Sequence, residues 1–124
     1  MQHEELAEAL FAAFQAGDAE AARALCASDL EARQNDGPAM GLGPLLAFSK
    51  AVHRLVKDFR YEEAVRSATD RGFVEEHRVR GTLPDGSELD LSVCVVADVV
   101  DGRITSLREY LDSAAAAGLI AALS

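Results

Sequence analysis

The chain has 124 residues, 49% of them hydrophobic, and a formal net charge of −9 at pH 7. That length makes one domain, residues 1–124, with a core large enough to fold by itself, and the apolar content excludes a disordered chain. The charge excludes a nucleic-acid partner, which requires a basic face, and no apolar run is long enough to span a membrane.

The first residues, Met1-Gln2-His3-Glu4-Glu5, are acidic, unlike a signal peptide, so a cytoplasmic protein is expected. Leu6, Leu10 and Phe14 recur at helical spacing and predict a helix over His3 to Ala16, stopped by Gly17. Asp18 is a good N-cap for a second helix, with Ala22, Leu25 and Cys26 on one side. Asp29 to Gln34 reads as a short strand. Asn35 to Gly43, with three Gly and one Pro, is a loop and a candidate pocket rim. Pro44 suits the first turn of a third helix, whose core stripe is Leu45, Phe48, Val52, Leu55 and Phe59.

Strands follow. Arg60 to Thr69 leads through Asp70-Arg71-Gly72 into Phe73 to Leu83. After Pro84-Asp85-Gly86 comes Ser87 to Val100, whose stretch from Leu91 is apolar on both faces, predicting cover on both sides. Asp101-Gly102 turns into the last strand, Arg103 to Asp112, and Ser113 to Leu123 is a C-terminal helix. Helices first and hairpin-linked strands later predict an α+β fold, a mostly antiparallel curled sheet forming a cone around a long helix.

Two cysteines, Cys26 and Cys94, are too few for a disulfide framework and read as buried thiols. His3, His53 and His77 lack metal-ligand spacing, so no metal is expected, and no glycine-rich phosphate loop is present.

The helix ending Gln15-Ala16-Gly17-Asp18, the segment Gly81-Thr82-Leu83-Pro84-Asp85-Gly86, and the run Asp101-Gly102-Arg103-Ile104-Thr105 followed by Arg108-Glu109-Tyr110-Leu111-Asp112 resemble the SnoaL-like and ketosteroid isomerase-like superfamily, the nuclear transport factor 2-like fold. The resemblance covers nearly the whole chain and implies a cone-shaped α+β domain. The fold hosts isomerases, cyclases, hydrolases, dehydratases and non-enzymatic binders, so it does not name a reaction. Aligned on the shared Gly-Asp pair, the steroid isomerases' Tyr, Asp base and protonated Asp fall at Leu10, Gln34 and near Val96, none of which serves that mechanism. Limonene-epoxide hydrolases of the superfamily match at Asp112, but their Arg-x-Asp falls at Glu76 and Arg78, or at Glu75 and His77. The similar polyketide cyclases use an acid/base Asp in an apolar pocket, for which Asp112 with His77 is the nearest counterpart.

Alternation along Phe73, Glu75, His77 and Val79 places Glu75 and His77 on the concave face. A neutral imidazole opposite a carboxylate there can shuttle protons near pH 7, or can be a structural histidine bonded to Glu75 or Asp112. Asp112 is a candidate acid/base and equally a cap for the C-terminal helix. Tyr110 shares a strand face with Arg108 and Asp112 and is a candidate ligand donor. Gln34 is a candidate ligand-orienting amide. Phe14 and Phe48 are core or pocket-wall aromatics.

Two functions remain open on this reading. One is a cofactor-free isomerase, cyclase or hydrolase acting on a small, largely apolar molecule through Asp112 and His77, with Gln34, Phe14, Phe48, Glu75 and Tyr110 as binding residues. The other is a non-catalytic ligand binder or dimeric scaffold. In either case a homodimer through the outer sheet face is expected.

Overall fold

A computed structural model describes residues 1–124. The elements are α1 (His3–Ala16), α2 (Ala19–Ala24), β1 (Cys26–Gln34), α3 (Leu42–Leu55), β2 (Lys57–Ala68), β3 (Gly72–Thr82), β4 (Glu88–Val100), β5 (Arg103–Leu111) and α4 (Ala117–Leu123). No helix is long and apolar enough to cross a membrane.

Helix α1 forms because its apolar residues lie on one face: Leu6, Ala7, Leu10, Phe11, Ala13 and Phe14 are all buried. The Glu5 carboxylate accepts the Gln2 N–H at its start (2.9 Å). Gly17 ends it in the left-handed region (φ 71°), and a Cβ there would lie 2.5 Å from the His53 ring. The α1–α2 junction is therefore both a backbone turn and a close approach to α3. Asp18 then caps α2 by accepting the Ala21 N–H at 3.0 Å.

The five strands form one sheet in the order β1-β5-β4-β3-β2. Strands β2 to β5 are an antiparallel meander, and β1 pairs parallel to β5. The α+β reading and the mostly antiparallel sheet agree with this. The concave face carries Phe73, Glu75, His77 and Val79 of β3 beside Leu89, Leu91, Val93, Val95 and Ala97 of β4, all buried, with α1 over β2 and β3 and α3 over β1 and β2. Fully burying a side chain such as Phe73, Leu10 or Ile104 contributes about 1.5–3 kcal/mol each.

Three boundaries and the cover of one strand differ from the sequence expectations. Strand β1 begins at Cys26, not Asp29, because the Leu25 carbonyl accepts the Ile104 N–H (2.9 Å) and draws the chain into pairing with β5 directly after α2. Helix α3 stops at Leu55, so Phe59 belongs to β2. β-Branched Val56 takes an extended conformation there, and its N–H closes the helix on the Val52 carbonyl. Strand β4 is covered on its concave face alone. Cys94 and Val96 on the other face are half-buried and Val100 is 57% exposed, so Cys94 is not the buried thiol expected. The C-terminal helix starts at Ala117, after a turn over 113–116.

Candidate functional site

One cross-strand row organises the site. The register pairs Arg66 with Glu75, Glu75 with Val95, Val95 with Glu109, and Glu109 with Gln34, so the row crosses all five strands. Cross-strand partners share a face, and neighbouring strands are about 4.8 Å apart. Glu75 and Glu109, both on the concave side, are thus two strand spacings apart, and Gln34 stands beside Glu109.

At one end of this row is a closed polar network. Glu75 is fully buried; one of its carboxylate oxygens accepts from Arg66 Nε at 2.6 Å, and the other meets His77 Nδ1 at 2.5 Å. With Arg66 holding Glu75 as an acceptor, Nδ1 of His77 donates to it. The imidazole is wedged between aromatic rings, its centroid 4.8 Å from Phe11 and 4.6 Å from Tyr61. Burying a carboxylate this deeply is tolerable only because both of its oxygens are partnered.

The other end opens into space. A cavity of about 150 Å³ lies between β2–β5, α3 and α4, and 14 of its 17 lining residues are hydrophobic. The three others are Gln34, Ser49 and Glu109. A second cavity of about 190 Å³ extends toward α1 and the 37–40 loop. Phe14, Gln34, Leu45, Phe48 and Glu109 line both.

Glu109 is the carboxyl group of this space. Burial in the apolar wall pushes its pKa above the ordinary carboxylate range, with His77 opposing the rise. Tyr61, which also lines the first cavity, is pushed well above the usual phenol range by burial and by the charges of Glu109 and Glu75, so it stays a neutral hydroxyl. Gln34 and Phe48 are exposed and stand at the cavity mouth.

Of the residues expected from sequence, Gln34, Phe14 and Phe48 line the cavities. Glu75 and His77 face the concave side as the alternation implied, but they pack behind Tyr61 and line neither cavity. Asp112 lies elsewhere: it is exposed and its Oδ1 accepts the Ala114 N–H at 2.9 Å, capping the turn before α4. Tyr110 is on the convex face, 44% exposed. The placement of Asp112 and Tyr110 follows from strand parity, since Leu107, Glu109 and Leu111 take the concave face and Arg108 and Tyr110 the other. Asp112 and His77, paired as acid and base in the sequence reading, are therefore not brought together.

The sequence reading includes Glu109 in the Arg108-Glu109-Tyr110-Leu111-Asp112 run but gives it no role of its own. Its signal is the row Leu107-x-Glu109-x-Leu111, a carboxylate between two inward-facing leucines. Ile104 masks it, because Ile104 is buried although it is out of step with Leu107. A one-residue bulge at Thr105 reconciles the two: Asp98 pairs with Ser106 while Val99 pairs with Ile104.

The fold is similar to that of a proposed polyketide cyclase from Xanthomonas campestris pv. campestris, at 25% identity, covering 98% of this chain and 96% of that one with a TM-score of 0.81. A proposed polyketide cyclase from Pseudomonas putida matches at 25% identity over 90% and 92% of the two chains, with a TM-score of 0.79. A protein of ketosteroid isomerase-like fold from Catenulispora acidiphila, solved with trimethylamine, matches at 18% identity over 86% and 84%, with a TM-score of 0.71. No curated protein sequence matches the chain significantly. Residues 7–107 match the model of the SnoaL-like domain. With a nuclear transport factor 2-like cone and this match over most of its length, the chain belongs to the SnoaL-like domain family.

Proposed function

We propose that this protein is a cofactor-free enzyme that moves a proton on a small, largely apolar carbonyl compound, with Glu109 as the general acid/base. The observation that carries the reading is the position of Glu109, a carboxyl of raised pKa in an otherwise apolar cavity wall, next to a neutral amide. A carboxylate of raised pKa is a stronger base than a solvated one, which suits it to removing a proton from carbon.

In this reading the Glu109 carboxylate takes a proton from the carbon beside the carbonyl. The C–H electrons move into the new C=C bond and the carbonyl π electrons onto oxygen, giving an enolate. The Gln34 amide N–H or the Tyr61 hydroxyl donates a hydrogen bond to that oxygen. Where a C=C bond is conjugated with the enolate, return of the proton from Glu109 to the far end of that bond shifts the double bond and completes an isomerisation. Where the enolate carbon instead attacks a second carbonyl of the same molecule, the π electrons of that carbonyl go to its oxygen, which takes the proton from Glu109 and completes a cyclisation. The apolar walls exclude water and strengthen both hydrogen bonds. His77, held by Glu75, supplies the charge that opposes the rise in the Glu109 pKa and is a positioning residue. The polyketide-cyclase names of the two 25% identical structures support this class of chemistry.

The partner proposed for the convex face is a second copy of the chain. Val65 (65% exposed) and Tyr110 line a shallow groove there together with half-buried Cys94.

The test of the catalytic reading is deuterium exchange into the α-carbon of apolar ketones in D₂O, followed by NMR. Exchange by the wild type that is lost in Glu109→Gln supports it. Exchange retained in that variant removes Glu109 from the mechanism. Ligand binding without any exchange leaves the domain a non-catalytic binder.

A further inference from the structure

The two cavities share five lining residues, and the only polar ones among these are Gln34 and Glu109. Each cavity therefore reaches the same carboxyl and the same amide from a different side. Their sizes are similar, about 150 Å³ and about 190 Å³. An apolar cavity of about 150 Å³ is sufficient for one benzene ring. The first is walled by Val79, Leu91 and Val93 and closed by Leu119 and Leu123 of α4. The second is walled by Phe11, Ala32, Val95 and Leu107, with Met40 and Pro38 of the loop at its rim.

We infer that the two cavities are the two arms of one ligand site, and that the ligand is a ketone with a ring-sized apolar group on each side of its reacting C–H and C=O. The inference rests on Glu109 as the proton acceptor. A C–H acid presented to Glu109 has its other substituents pointing away from the carboxyl, and two ring-sized spaces diverge from that point. The carbonyl-side ring fills one arm, the α-carbon's ring fills the other, and the carbonyl oxygen lies at Gln34. Phe48, 41% exposed, forms part of the wall common to both arms.

The probes are deoxybenzoin, which has a phenyl ring on each side of a CH₂–C=O unit, and acetophenone, which has one ring. Leu91→Phe fills the first arm and Ala32→Leu the second, and thermal melts establish that each variant is folded. Deoxybenzoin is expected to bind the wild type one to one and to lose at least about tenfold in affinity in either variant, as expected when a filled pocket excludes a ring. Acetophenone is expected to lose affinity in no more than one. Where a filled variant does not fold, intermolecular NOEs in the wild type decide: deoxybenzoin protons are expected to reach Leu91 or Val93 methyls and also Leu107 or Met40 methyls.

Absence of saturable deoxybenzoin binding overturns the inference. So do NOEs to one arm alone, or two independent acetophenone sites that deoxybenzoin cannot bridge. The catalytic reading fails separately: exchange of the deoxybenzoin CH₂ that persists in Glu109→Gln overturns the base assignment while the binding pattern still reports on the two arms.

Discussion

Gln34 and Glu109 are register partners in the parallel β1–β5 pair, and both border both cavities. The position at which the resemblance to steroid isomerases would put a base is occupied by an amide, and a carboxyl arrives beside it from the next strand. The pair sets a carboxyl and an amide side by side at the wall that the two cavities share.

Replacing Glu109 by Gln removes the proposed base while keeping its volume. The expected loss in the rate of α-carbon exchange is about 10²–10⁴-fold, the usual contribution of a positioned acid/base, with ligand affinity little changed. Single-turnover kinetics with separately measured binding check it.

The same substitution has a signed pH dependence. The folded-state pKa of Glu109 is raised above its unfolded value, so its contribution to stability is fully present below the unfolded pKa and is lost as pH rises through the folded pKa. Glu109→Gln is therefore expected to be stabilising relative to wild type at pH 8 and to lose that advantage near pH 4. Denaturant melts at the two pH values test the sign; an equal difference at both contradicts burial of a titrating carboxyl.

Glu75 and Asp112 contrast structurally. Glu75→Ala leaves the His77 Nδ1 and the Arg66 guanidinium without their common acceptor, and is expected to cost about 2–4 kcal/mol. Asp112→Ala removes one exposed capping bond and is expected to cost about 0.5–1 kcal/mol, with α-carbon exchange unchanged. A large loss of exchange in a folded Asp112→Ala would return that residue to the site.

Asp98 ties the convex face together, accepting from Arg108 at 3.1 Å and from Arg71 at 2.7 Å. The Arg108 hydrogen bond is the largest influence holding its pKa below the ordinary carboxylate value. Its stabilisation is present above the unfolded pKa and lost as pH falls through the folded one. Asp98→Ala is expected to cost about 1–2 kcal/mol at pH 7 and progressively less below pH 4, in urea melts across that range.

Gly72 permits β3 and β4 to pair where they do. A Cβ there would lie 2.1 Å from the Ala97 carbonyl oxygen, a backbone atom with no freedom to retreat. Gly72→Ala is expected to cost the upper part of about 1–3 kcal/mol, or more, in equilibrium unfolding. Gly43, with nothing within 4 Å of its Cβ position, is the control for glycine replacement in general.

Sequence by itself determined the elements and their order. The periodicity of Leu6, Leu10 and Phe14, the alternation through Phe73, Glu75, His77 and Val79, and the Pro84-Asp85-Gly86 and Asp101-Gly102 turns are local signals, written in neighbouring residues and legible without the fold. They also placed Glu75 and His77 on the concave face, and carried the resemblance that the fold confirms. The tertiary structure decided which carboxyl meets the cavity. Both faces of β5 carry polar residues and Ile104 is out of step with Leu107, so its alternation is masked; its orientation is set by pairing with β4 and by the bulge at Thr105, which turns Leu107 and Glu109 inward together. Asp112 lies past the end of that pairing, where its nearest partner is the N–H of Ala114 two residues on, so it caps a turn. The cavity is likewise a tertiary property: it is space left between β2–β5, α3 and α4, and no single segment of sequence records it.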